Sequence, residues 1–202
     1  MINIIKDEDL INHVKEYDVT LVGTNTYCFM QNGFPHKVIL DYPYVYNINL
    51  ATKYGDIRKM GTLVECKEEG EPTFCLCYIA TGGMHRPDVK KDFLSYESLE
   101  SCLKLINVRY KGLKVATTLL GTSRFDGNGD RERVMKIFND CIKDLDVDIY
   151  DYHQNSRAED LKERYLKELS LKKVNPKEYR EVVKKRKELE EERFKKNGHI
   201  RN

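Results

Sequence analysis

Apolar positions along this chain follow two different periods. Short β-branched or alternating runs at Ile2 to Ile5, Val19 to Val22, Met60 to Cys66, Thr73 to Ala80, Lys114 to Leu120 and Val147 to Tyr150 predict strands. Helical spacing appears near Asp9 to Val14, over Pro35 to Tyr42, over Tyr96 to Val108 with Leu99, Cys102, Leu103 and Ile106 on one face, and over Asp130 to Leu145. The turn Glu68-Glu69-Gly70-Glu71-Pro72 joins two of the strands directly. Strands and helices that otherwise alternate predict an α/β fold, a three-layer α/β/α sandwich around a mixed central sheet.

Two strand ends run into glycine-bearing polar loops. The strand before Leu120 continues into Gly121-Thr122-Ser123-Arg124-Phe125-Asp126-Gly127-Asn128-Gly129-Asp130 and then an amphipathic helix. Glycines at 121, 127 and 129 are expected to supply positive φ and close backbone approach. Thr122, Ser123 and Asn128 add side-chain donors, and the helix start turns free N–H groups toward the loop, so the segment is suited to an anion such as a phosphate. It is neither a Walker loop nor a dinucleotide fingerprint. The strand Val19 to Val22 runs into Gly23-Thr24-Asn25 and on through Met30-Gln31-Asn32-Gly33. Ligands of open α/β sheets sit beyond the carboxyl ends of the strands, so the two loops are expected to line one crevice.

Four segments in order then resemble a known family. Gly23 to Gly33, Thr52-Lys53-Tyr54-Gly55-Asp56 with Lys59-Met60-Gly61-Thr62, Ser95 to Cys102, and the loop and helix over 119–134 are similar to macrodomains, particularly the small, often phage-encoded branch grouped with ADP-ribose phosphate phosphatases. The resemblance covers roughly the first 152 residues. It implies a domain over 1–156 that binds ADP-ribose or a derivative, without a metal or cofactor, and that acts as a hydrolase on ADP-ribose phosphate or on ADP-ribosylated protein or nucleic acid. A silent binder or sponge of an ADP-ribose-containing signal is the alternative.

The resemblance also assigns roles. Asn25 would hydrogen-bond the distal ribose, with Asn32 and Gly33 closing the same loop; the two-loop context favours this role over the alternative of an Asx-type cap on the turn. Gly121 to Gly129 would wrap the diphosphate, with Arg124 and Phe125 beside it. Asp7 or Asp9 would accept from adenine, unless one simply N-caps the helix near Leu10, and Tyr152 with His153 would flank the base. Asp126 and Asp130 are the candidate catalytic acids, with His36 and His85 as secondary candidates, and Asp130 also suits an N-cap.

Charge divides the chain. Residues 157–202 hold 16 Lys+Arg and 10 Asp+Glu, a net of +6, which leaves 19 against 23, a net of −4, for residues 1–156. Leu161, Tyr165, Leu166 and Leu169 recur at helical spacing, so the tail is expected to be a charged helical extension. Its run Lys184-Lys185-Arg186-Lys187 offers a second, nucleic-acid-associated reading of the protein. No apolar run reaches the roughly 18 to 20 residues of a membrane span, and the N-terminus reads as a strand, so a cytoplasmic location is expected, in a host cytoplasm if the chain is phage-encoded. The six cysteines are scattered and are expected to be reduced and buried, with Cys75 and Cys77 on one face of a strand.

Overall fold

The computed structural model describes residues 1–81, 93–123 and 127–151. Of the expected features, His85, Arg124, Phe125, Asp126, Tyr152, His153 and the extension over 157–202 lie outside the described residues.

The elements run β1 (Ile2–Lys6), β2 (Val19–Asn25), α1 (Gly33–Asp41), α2 (Pro43–Ala51), β3 (Leu63–Cys66), β4 (Phe74–Ala80), α3 (Tyr96–Arg109), β5 (Lys114–Thr118), α4 (Arg131–Cys141) and β6 (Asp146–Asp151). All six strands join one sheet in the order β1-β6-β5-β2-β4-β3. Every pairing is parallel except β3 with β4, so the sheet is mixed.

Side-chain alternation along the strands builds a core on each face. Leu21, Cys75, Cys77, Val115, Val147 and Ile149 point toward α3 and α4, where Leu99, Leu103, Ile106, Val134 and Phe138 meet them. Val22, Phe74, Leu76, Tyr78, Ala116 and Tyr150 pack on the opposite face with Val38 of α1 and Val45 of α2. Helices on both faces of the sheet make the expected three layers. Cys75 and Cys77 do share a face, and all six cysteines are free and buried.

Three local departures from the expected elements occur, and the last two have a clear physical cause. The helix expected near Asp9 to Val14 is instead two single 3-10 turns, Leu10–Asn12 and Val14–Glu16. A second helix, α2, follows α1 after one residue, because Pro43 does not end a helix here but occupies the first turn of the next, where its missing N–H costs nothing. Helix α4 stops at Cys141 rather than Leu145, because Asn107 Oδ1 captures the N–H groups of Lys143 at 2.8 Å and Asp144 at 3.0 Å and turns the chain toward β6.

Candidate functional site

The carboxyl ends of β1, β6, β5, β2 and β4 all face one edge of the sheet. Strands β2 and β5 are hydrogen-bonded neighbours from Val19↔Val115 to Leu21↔Thr117. The two glycine-bearing loops therefore leave adjacent strands on the same side, as the sequence pattern requires for a shared crevice. β2 runs three residues further than Val22, and a register shift against β4 between Thr24 and Asn25 marks where it leaves the ladder.

Asn25 spends its amide on its own loop. Its Oδ1 accepts from the N–H groups of Tyr27 and Phe29, each at 3.1 Å, and its Nδ2 donates to the Phe29 carbonyl at 2.8 Å. Beyond it Cys28 adopts φ 58°, and its buried thiol donates to the Asn49 carbonyl at 3.2 Å. Lys59 Nζ reaches Cys28 Sγ at 3.3 Å and Thr52 Oγ1 at 3.0 Å. Tyr78 donates to Asn49 Oδ1 at 2.7 Å, and burial pushes its hydroxyl up to about 12. Asn49 Nδ2 in turn reaches Thr24 Oγ1 and Met30 Sδ. This polar floor under the first loop was not singled out from the sequence, since the helix that carries Asn49 was not expected. Asn32 stands at the N-cap position of α1 with no side-chain capping bond, and Gly33 beside it has φ 57°. His36 lies within α1.

The second loop is tied across its neck. Gly129 N–H donates to the Gly121 carbonyl at 2.9 Å and Asn128 N–H to the Ser123 carbonyl at 3.0 Å, while the Gly127 carbonyl accepts from the N–H groups of Phe93 and Leu94. Thr122 Oγ1 donates back to the Leu119 carbonyl at 2.8 Å. Positive φ is needed at Gly121, 71°, and is also adopted by Asn128, 51°. The expectation of positive φ at all three glycines is corrected here, because Gly127 and Gly129 are required by contact instead. A Cβ on Gly127 would lie 2.2 Å from the Gly121 carbonyl oxygen, and one on Gly129 would lie 2.4 Å from Leu94 Cδ2.

This closure also commits N–H groups that the sequence left free for an anion. Those of Asn128 and Gly129 are used in the neck, and that of Asp130 donates to Tyr96 Oη at 2.8 Å. Among the described residues, the N–H groups of Gly127, Arg131 and Glu132 have no partner, so an open helix start remains at α4.

The candidate acids are placed differently from one another. Asp130 is the N-cap of α4, its Oδ1 accepting from Arg133 N–H at 2.7 Å. Asp9 caps the turn Leu10–Asn12 and is ion-paired with Lys37. Asp7 is exposed just beyond the end of β1 with φ 61°, and Lys6 before it lies opposite Asp151 in the β1–β6 ladder. A cavity of about 510 Å³ lies apart from the first loop, between α4 and the sheet, where Ile4, Leu119, Met135 and Ile149 line it and Arg131 Nη2 donates to Asp151 Oδ1 at 2.6 Å. Among the described residues, no group of three or more His, Cys, Asp and Glu side chains is placed to hold a metal ion, and no helix is long and apolar enough to cross a membrane.

No family model and no curated protein matches the chain. Solved structures do. The macrodomain of Thermus aquaticus DarG superposes with a TM-score of 0.58 at 13% identity, covering 76% of this chain and 98% of that one. Thermosipho africanus DarTG in complex with ADP-ribose gives 0.58 at 19% identity over 74% of this chain and 41% of that one. The macrodomain of Mycobacterium tuberculosis DarG gives 0.55 at 17% identity, covering 74% and 97%. The chain has the macrodomain fold.

Proposed function

We propose that this domain binds ADP-ribose or a close derivative in the crevice between the loop after β2 and the loop after β5, and that it is a hydrolase of ADP-ribose phosphate or of ADP-ribosylated acceptors. The observation that carries the reading is the adjacency of those loops on paired parallel strands at the carboxyl edge of the sheet. A solved protein of similar fold holds ADP-ribose, which supports the choice of ligand. The diphosphate would lie against the open N–H groups at the start of α4, where the helix dipole favours negative charge. Asn32, whose amide does not cap α1, is better placed than Asn25 to turn toward a ribose without unfolding its own loop.

Hydrolysis needs a group that can move a proton near the distal ribose. Asp126 and Asp130 are the proposed acids. A second reading, that of a binder without turnover, is favoured by the commitment of the Asp130 carboxylate to its helix cap and of the Asn25 amide to its own turn. Turnover measured on ADP-ribose phosphate, ADP-ribosylated protein and ADP-ribosylated DNA separates the two. Asp130→Asn is the informative variant, because Asn also caps helices well while it cannot supply a proton. Retained folding with lost turnover assigns the acid to Asp130, and absence of turnover in the unsubstituted chain with ADP-ribose still bound favours the binder.

A further inference from the structure

In the polar floor one thiol and one amine stand in direct contact. Cys28 is 1% exposed, and its Sγ lies 3.3 Å from Lys59 Nζ. The S–H donates to the Asn49 carbonyl at 3.2 Å, which leaves the sulfur lone pairs to face the nitrogen and, at 3.5 Å, Thr52 Oγ1. Lys59 Nζ also donates to Thr52 Oγ1 at 3.0 Å and lies 4.7 Å from the centre of the Tyr78 ring. Among the described residues no carboxylate forms an ion pair with it. Neither residue has a part in the proposed binding of ADP-ribose.

The pair joins segments that are 31 residues apart, the loop after β2 and the 3-10 turn Ile57–Lys59 after α2. Lys59 is half-buried, so the sulfur sits one side chain below the surface, within reach of an oxidant as small as hydrogen peroxide. Of the atoms packed against that sulfur, the amine is the one good nucleophile. A sulfenic acid formed at Cys28 therefore meets nitrogen before it meets a second thiol.

We infer that Cys28 and Lys59 form a redox-sensitive modification site, in which a peroxide oxidises the thiol and the product condenses with the amine into a covalent sulfenamide. In the first step the sulfur attacks a peroxide oxygen. The S–O bond forms, the O–O bond breaks, and the departing hydroxide takes the thiol proton as water. In the second step Lys59, after giving its extra proton to water, attacks the sulfur as the free amine. The S–N bond forms, the S–O bond breaks, and the hydroxyl leaves with an amine proton as a second water. Sulfur loses two electrons, and one peroxide is reduced to two waters. The link pins the first loop to the turn after α2 and closes a 31-residue loop, which constrains the unfolded chain as other cross-links do. This goes beyond the ADP-ribose reading and does not depend on it.

The test is peptide mapping by mass spectrometry of the full chain after hydrogen peroxide, without ADP-ribose, so that either reading can fail while the other stands. The expected product is a peptide pair joined through Cys28 and Lys59, lighter by two hydrogens than its parts and separated again by dithiothreitol. The melting temperature is expected to rise with the link and to return on reduction. Lys59→Arg keeps the cation and removes the primary amine, so oxidation there is expected to stop at a Cys28 sulfenic acid, trapped as its dimedone adduct. A Cys28 that stays unmodified in the unsubstituted chain, or that oxidises without joining Lys59, would overturn the inference, and so would a cross-link at Cys28 that persists in Lys59→Arg.

Discussion

Asn25 grips Phe29 by both of its main-chain polar groups, accepting the N–H at 3.1 Å and donating to the carbonyl at 2.8 Å. The side chain is an internal brace of the loop. Asn25→Ala is therefore expected to lower stability by about 1–2 kcal/mol, the net worth of those bonds, even with no ligand present. Asn25→Asp keeps the acceptor and should cost less. Thermal melts of the three forms without ADP-ribose check this, and an Asn25→Ala melt identical to the unsubstituted chain would leave a ligand contact as the residue's role.

The loop after β5 yields a prediction of rank order. Gly127→Ala would drive a Cβ to 2.2 Å from a carbonyl oxygen that cannot swing aside, so the neck must open. The expected loss is about 1–3 kcal/mol or more, as for overpacked sites. Gly70→Ala meets no atom within 4 Å and bears only the strain of φ 80°, about 1–2 kcal/mol. Chemical denaturation should place Gly127→Ala below Gly70→Ala. The reverse order would mean that the neck is open in solution.

The strands and the three-layer architecture were legible in the chain, because alternation along the strands and helical spacing in α3 and α4 are local signals, whereas the pairing of β2 with β5 that sets the two loops side by side is a long-range contact. The state of the site residues was not legible either. Whether Asn25 faces a ligand or its own turn depends on where the Phe29 backbone lies. Whether Gly129 is glycine for φ or for contact depends on Leu94, which is brought in from another segment. The polar floor of Cys28, Asn49, Thr52, Lys59 and Tyr78 joins four separate segments, and its key helix begins at a proline that reads locally as a stop.

Tyr78 makes that floor sensitive to alkali. Its hydroxyl has an ordinary value of 10.0 and is raised to about 12 by burial, so the folded state holds this proton more tightly than the unfolded chain does. The contribution to stability is fully present below pH 10 and is lost as pH rises toward 12, a change of about 2–3 kcal/mol. Stability measured by denaturant from pH 9 upward should fall, and Tyr78→Phe should remove part of that slope while costing about 1–3 kcal/mol at neutral pH by orphaning Asn49 Oδ1. An unchanged alkaline slope in Tyr78→Phe would contradict the assignment.

All six cysteines are free and buried, and burial raises the Cys66 thiol to about 12. Burial keeps the reagent away from every one of these thiols, so native protein at pH 8 is expected to resist iodoacetamide and to label at all six positions once denatured. Mass spectrometry of the labelled chain reads the difference. Rapid native labelling at Cys66 would show that the β3 edge opens in solution.

The claim on which the functional account stands is that the two loops form one ADP-ribose site, and calorimetric titration of the full chain with ADP-ribose tests it most directly. The account predicts saturable one-to-one binding, weaker binding of AMP, and a gain of about 2.7 kcal/mol in stability at a ligand concentration 100 times the dissociation constant. No heat and no shift in melting temperature at millimolar ADP-ribose would contradict it and leave the macrodomain fold without this ligand.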